Sequence, residues 1–215
     1  KKGVAVHINA FNFPIWGMLE KIAVNLMAGV PAVVKPSEIT SYVTEAMVRE
    51  IIACKILPEG SLQLVSGLGR GIIDNVNLND VVTFTGSAHT GRILKSLPQI
   101  INNSVPFNLE ADSLNACVLG EDAVPGTAEY DIFIKEVLKE ITIKAGQKCT
   151  AVRRILVPEK LVEDVEKSLT AKLAKTVIGD PSQEGVRMGS LVSRVQMESV
   201  KNNVSMLLEE QSLIF

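Results

Sequence analysis

Residues 4–35, VAVHINAFNFPIWGMLEKIAVNLMAGVPAVVK, decide the fold. Val4 to Ile8 is a short apolar run of strand type, Ile15 to Ala28 repeats its apolar residues at helical spacing, and Ala32 to Val34 is apolar and strand-like again. A change of period twice within one stretch predicts two parallel strands joined by a helical crossover. The same stretch excludes a membrane span. Its most apolar part, Ile22 to Val34, is 13 residues long and contains Asn25, Gly29 and Pro31, against the roughly 20 residues a bilayer requires. It reads as a buried helix running into a buried strand.

The alternation continues outward. A helix is predicted from about Ser41 to Cys54, ended by Leu57-Pro58-Glu59-Gly60, then a strand Leu62 to Val65, a glycine-rich turn Gly67 to Gly71, a short helix, and a strand Val81 to Phe84. Beyond Gly86 a helix runs to about Leu97, followed by strands Val105 to Leu109 and Asn115 to Leu119 and a long helix Ala128 to Lys144. A turn carrying Cys149 leads to a strand Ile155 to Val157 and to an amphipathic helix Leu161 to Lys175, whose charges form its wet face. Ile178 to Ser193 is irregular, and Arg194 to Glu210 is a last helix. The expected class is α/β, with an open sheet of parallel strands joined by helical crossovers, in two part-domains. In such sheets ligands gather at the carboxyl ends of the strands. The loops Asn9 to Pro14, Lys35 to Glu38, Gly67 to Gly71 and Thr85 to Ser87 are therefore expected on one edge.

Composition narrows the partners. The chain has 215 residues, 47% of them hydrophobic, and a net charge of −2, so it has no field that would hold nucleic acid or an anionic membrane. Three cysteines without CxxC spacing and two histidines suggest neither a disulfide framework nor a metal site, and fit a reducing, cytoplasmic setting. The start at Lys1-Lys2-Gly3 without Met and the stop at Leu213-Ile214-Phe215 read as cut ends, with no signal peptide.

Few side chains carry candidate chemistry. Cys149 lies in Ala145-Gly146-Gln147-Lys148-Cys149-Thr150, near Lys144, Arg153 and Arg154 in sequence; cationic neighbours favour a nucleophilic thiolate, while the plain alternative is an incidental loop thiol. Cys54, in a helix, and Cys117, in an apolar strand, read as small core residues. His7 and His89 read as ordinary hydrogen-bonded or solvated histidines, which argues against a Cys-His hydrolase. Glu110 ends an apolar strand, where a carboxylate is solvated, paired or employed. Gly67-Leu68-Gly69-Arg70-Gly71 follows a strand but lacks GxGxxG spacing. In Phe84-Thr85-Gly86-Ser87, Gly86 permits close backbone approach and Ser87 can cap a helix whose first N–H groups face a pyrophosphate, or cap it with no ligand at all. Lys35 and Glu38 around Pro36 could bond ribose hydroxyls or form a solvated ion pair.

Together these segments resemble the aldehyde dehydrogenase superfamily over nearly the whole chain. Asn9-Ala10-Phe11-Asn12-Phe13-Pro14 is similar to its P-W-N-F-P, Lys35-Pro36-Ser37-Glu38 to K-P-[AS]-E, Phe84-Thr85-Gly86-Ser87 is its F-T-G-S, and Gly146-Gln147-Lys148-Cys149 resembles G-Q-x-C. The resemblance implies Cys149 as thiol nucleophile, Asn12 with the Cys149 backbone N–H as oxyanion donors, and Glu110 as the base that activates water. It implies an open, doubly wound, Rossmann-like cofactor domain over 1–109 and part of an α/β catalytic domain over 110–215, with NAD or NADP as cofactor, held by Phe11, Lys35, Ser37, Glu38, Gly67, Gly86, Ser87 and Thr90. One departure is Glu110-Ala111-Asp112-Ser113 in place of E-L-G-G.

With Leu114-Asn115 and Lys144 to Ala151, that departure resembles the dehydrogenase half of bifunctional phenylacetate-degradation proteins. It implies a CoA-linked semialdehyde as substrate, a homo-oligomeric parent, and fusion to an enoyl-CoA-hydratase-like domain. The family's segment before Gly3, its E-x-F-G-P segment and its dimerisation strand have no counterpart here, so the chain is expected to be an internal piece. Two alternatives stay open: a nucleotide-binding or assembly fragment without activity, and a CoA-acylating dehydrogenase, which Glu110 disfavours. Glu38 beside a ribose favours NAD over a 2′-phosphate, whereas the subgroup is associated with NADP.

Overall fold

The computed structural model describes residues 2–69 and 71–209. Lys1, Arg70 of the glycine-rich turn, Glu210 at the expected end of the last helix, and Leu213 to Phe215 lie outside the described residues. The described chain forms two compact units, one to Asp112 and one from Ser113.

The first unit is a five-stranded, all-parallel sheet in the order β3-β2-β1-β4-β5. Its strands are β1 (Ala5–Ile8), β2 (Ala32–Lys35), β3 (Leu62–Leu64), β4 (Val81–Gly86) and β5 (Phe107–Ala111). Alternation within the strands feeds two cores. Helices α1 (Trp16–Met27) and α2 (Ser41–Ala53) cover one face, where Met18, Ile22, Ala32, Val34 and Val48 are buried together. Val6, Val82, Ile73, Val76, Ile100 and Val105 fill the other, which makes the sheet doubly wound. The pairs Ile8↔Lys35 and Ile8↔Phe84 put the carboxyl ends of β2, β1 and β4 level. No helix among the described residues is long and apolar enough to cross a membrane.

Several boundaries differ from the sequence reading for local reasons. The helix after Gly86 stops at Lys95 (α3, Ala88–Lys95), because Pro98 has no N–H to continue it and instead starts α4 (Pro98–Asn102). Residues 71–75 form successive turns rather than a helix, with Ile72 N bonded to Gly69 O and Val76 N to Ile73 O. Strand β5 continues through Glu110 to Ala111, paired with Thr85 and Gly86, so the compact unit runs past residue 109. Helix α1 is buried on one side only: Val24 and Met27 are exposed. Gly91 in α3 is required by space, since a Cβ there would lie 2.2 Å from Leu109 Cδ1.

In the second unit, β6 (Ala116–Val118) and β7 (Arg154–Leu156) form a two-stranded parallel sheet. Helices α5 (Ala128–Thr142) and α6 (Val162–Leu173) bury Tyr130, Phe133, Ile134, Val137, Val165 and Leu169 against each other and around Cys117 and Ile155. The Ile178 to Ser193 segment contains one bridge, Ile178 to Met188, and the last helix, α7 (Arg194–Glu209), has no buried residue.

Asp80 fastens the lead-in to β1. It is buried, and its Oδ1 accepts from Val4 N at 2.7 Å while Oδ2 accepts from Asn77 N at 2.8 Å. Asp80→Ala strands both donors, and we expect a loss of about 1–3 kcal/mol, read as a lower urea midpoint.

Candidate active site

In the first unit, the parallel strands deliver the expected residues to one edge: Phe11 and Asn12 after β1, Lys35, Ser37 and Glu38 after β2, Gly67 after β3, Gly86, Ser87 and Thr90 at the end of β4 and the start of α3, and Glu110 near the end of β5. The Lys35 stem is buried and its ammonium is bonded to the Glu38 carboxylate. Partial burial works against the Glu38 charge, but the Lys35 bond, its own backbone N–H and the Lys35 charge together hold its carboxyl below the usual range. This pair offers a donor and an acceptor side by side, the set that vicinal hydroxyls need.

The glycine-rich turn has a packing reason. Gly69 sits at φ +63, and a Cβ there would lie 2.8 Å from Lys35 Cε, so the turn lies over the lysine stem.

Ser87 caps α3, its Oγ accepting from Thr90 N at 3.2 Å. The first N–H of that helix, from Ala88, is taken by Asp112 Oδ2 at 3.2 Å. Asp112, at φ +50, stands where glycine suits the backbone better. This carboxylate takes the first donor of the helix, a pairing that only the folded structure reveals.

Glu110 is exposed and accepts a bond from Thr85 Oγ1 at 3.3 Å. Thr85 in turn accepts from Lys21 Nζ at 2.6 Å, and Lys21 also donates to Asn9 Oδ1 at 2.8 Å. Burial lowers the Lys21 pKa, opposed by attraction to Glu110 and Glu20. Lys21 escaped the sequence reading, and Asn9 and Thr85 were read only as parts of loops on this edge; the available signal was a lysine next to Ile22 on a helix with one buried face.

His7 is structural. Asn25 Nδ2 donates to Val30 O at 2.6 Å, which turns Asn25 Oδ1 toward His7 Nε2 at 2.7 Å. The imidazole proton therefore sits on Nε2, and Nδ1 accepts from Thr83 Oγ1 at 2.8 Å. Burial pushes the imidazole below its ordinary value, the Asn25 bond opposes this, and the Lys21 charge adds to the lowering. The unfolded chain therefore takes up a proton below pH about 6.5 that the folded chain refuses. The His7 contribution is fully present above that pH and declines below it. We expect the unfolding free energy to fall as pH drops below about 6.5, and His7→Gln to flatten that slope in urea titrations.

Cys149 belongs to the second unit. Helix α5 ends at Thr142, and Lys144, Ala145 and Gly146 follow at φ +51, +52 and +72, three left-handed residues in a row. Side chains hold this strained turn. Gln147 Nε2 donates to Lys144 O at 2.9 Å, and its Oε1 accepts from Val192 N at 3.0 Å. Cys149 itself is exposed.

Three of the cations near it in sequence are bonded to other groups. Lys148 is paired with Glu140 at 2.8 Å, Arg153 with the Gly146 and Lys148 carbonyls, and Arg154 with the Leu114 carbonyl. Cys54 corrects the sequence reading: at the C-cap of α2 it is exposed, not core. Cys117 is half-buried, and burial raises its thiol pKa.

The Aldehyde dehydrogenase family model matches residues 2–214, and the chain belongs to that family. It is 45% identical over 213 residues to a 3,4-dehydroadipyl-CoA semialdehyde dehydrogenase of Aromatoleum evansii, covering 99% of this chain and 41% of that protein. It is 31% identical to aminoaldehyde dehydrogenase 2 of Zea mays, with 99% and 41% covered. Among solved structures, betaine aldehyde dehydrogenase of Staphylococcus aureus in complex with NAD+ superposes with a TM-score of 0.87 at 27% identity, covering 97% of this chain and 40% of that one. The chain thus spans about two fifths of the proteins it matches.

Proposed function

We propose that the protein carrying this chain oxidises an aldehyde to a carboxylic acid with NAD or NADP, and that the aldehyde is a CoA-linked semialdehyde. The observation that carries this reading is the 45% identity, along 99% of the chain, to an enzyme named for such a substrate. Cys149, Glu110 and Asn12 stand at the family's motif positions.

In this reading the Cys149 thiolate adds to the aldehyde carbon, forming a C–S bond and an oxyanion. The Asn12 amide and the Cys149 backbone N–H stabilise that oxyanion. When bound, NAD(P) would supply a two-electron acceptor for the hydride on the adduct carbon, whose loss leaves a thioester on Cys149. Glu110, held at the sheet edge by Thr85, takes a proton from water; the hydroxide attacks the thioester, the C–S bond breaks, and acid and thiolate separate. Lys35 and Glu38 would hold a ribose, and Phe11, Ser37, Gly67, Gly86, Ser87 and Thr90 would hold the rest of the dinucleotide, with Asp112 competing for the Ala88 N–H at the start of α3.

Cys149→Ala abolishes aldehyde-dependent NAD(P)H formation in this reading. Glu110→Gln leaves a first burst of reduced cofactor but stops turnover. Undiminished turnover in Cys149→Ala would remove the thiol from the mechanism.

Glu38, paired with Lys35, repels a 2′-phosphate and favours NAD, while the resemblance to the phenylacetate subgroup favours NADP. Replacing Glu38 by Gln is expected to shift the NADP-to-NAD preference upward by about tenfold, measured as the ratio of KM values. An unchanged ratio places the ribose elsewhere.

The share of 41% favours a second reading, a nucleotide-binding piece without turnover of its own. Such a piece is stabilised against heat by cofactor yet reduces none of it when aldehyde is added.

A further inference from the structure

The turn that presents Cys149 is gripped on both sides of its Cα. On one side, the Cys149 carbonyl accepts from Asn115 Nδ2 at 2.6 Å and from the Ser113 hydroxyl. On the other, the Lys148 carbonyl accepts from Arg153 Nη2 at 3.2 Å, and the same nitrogen donates to Gly146 O at 2.9 Å. The grips are linked, because the Asn115 backbone carbonyl accepts from the N–H groups of Arg153 at 2.9 Å and Arg154 at 3.1 Å. Arg154 closes the ring by donating from Nε to Leu114 O at 3.0 Å. With both flanking peptide planes anchored, the two soft backbone torsions of Cys149 are set.

We infer that Arg153, Asn115 and Ser113 are positioning residues that aim the Cys149 backbone N–H at the oxyanion of an adduct on its own sulfur. In a trans peptide the Lys148 carbonyl and the Cys149 N–H point in opposite directions. A guanidinium on the carbonyl therefore leaves the N–H pointing away from Arg153. A cationic donor on that carbonyl also polarises the peptide and strengthens its N–H as a donor. Preorganised donors of this kind act on developing charge, not on the ground state. The inference rests on the reading of Cys149 as nucleophile, and it gives work to Ser113, one of the residues by which this chain departs from the family's E-L-G-G.

Two reactions of the same thiol separate aim from reactivity. With 4-nitrophenyl acetate, Sγ attacks the ester carbonyl, an oxyanion forms and collapses, 4-nitrophenolate leaves, and the thiol proton goes to solvent. With iodoacetamide, Sγ displaces iodide and no oxyanion forms. Both rates are read at Cys149 by peptide mass spectrometry on the whole chain, with exposed Cys54 as internal reference.

Arg153→Ala and Asn115→Ala are expected to lower the ratio of acylation to alkylation at Cys149 about tenfold, less than outright loss of an oxyanion donor, with the Cys54 ratio unchanged. Arg153→Lys restores part of the loss, and Ser113→Ala, which keeps Asn115 on the carbonyl, lowers the ratio by about threefold. These two mild variants carry the test if the alanine variants do not fold. A ratio unchanged in the variants, or both reactions slowing together, overturns the inference. Wild-type Cys149 acylated no faster than Cys54 overturns the nucleophile reading, and this inference with it.

Discussion

Parallel pairing of β1 with a strand on each side governs the first unit. A parallel neighbour cannot be reached by a tight turn, so each connection crosses over the sheet and every strand ends at the same edge. The chain leaves β1 toward β2 on one side and later returns to β4 on the other. The loops after β1 and β4 therefore diverge and open a crevice between them. Asn9, Lys21 and Thr85 meet there only because Ile8 is level with Phe84. A shift of one residue in that register would turn Thr85 to the other face of the sheet and break the link from Lys21 to Glu110.

The second unit uses a different constraint. Three left-handed residues in succession are unfavourable for Lys144 and Ala145, which carry a Cβ, and such a conformation persists only where its surroundings impose it. Gln147 bridges the turn to Val192, while Arg153, Asn115 and Ser113 hold its far side. The exposed thiol is thus presented by a backbone with little freedom. Arg153 and Arg154 hold carbonyls around this turn, and Lys148 is paired with Glu140.

The cofactor side shows how one residue changes the reading of a motif. Ser87 behaves as an N-cap should, but Asp112 reaches the same helix end from β5 and takes the Ala88 N–H. The helix N-terminus attracts negative charge of any origin, and here the chain supplies its own. Gly69, in turn, is explained by its contact with the Lys35 stem.

Hydrophobic period and punctuation by Gly and Pro were enough to read the alternating α/β order and the loops on one sheet edge, because those signals are local; the roles assigned to Asn12, Lys35, Glu38, Glu110 and Cys149 rest on the resemblance of short motifs to a family. The split at Pro98 was equally local and was missed only as a boundary. What the amino-acid order could not convey was which partner each polar group takes: Lys21 for Thr85, Asp112 for Ala88, Arg153 for the Lys148 carbonyl, Asn115 for the Cys149 carbonyl. Hydrogen bonds between residues far apart in the chain depend on angles and distances of a few ångströms, and those are decided only when strands, turns and helices have packed.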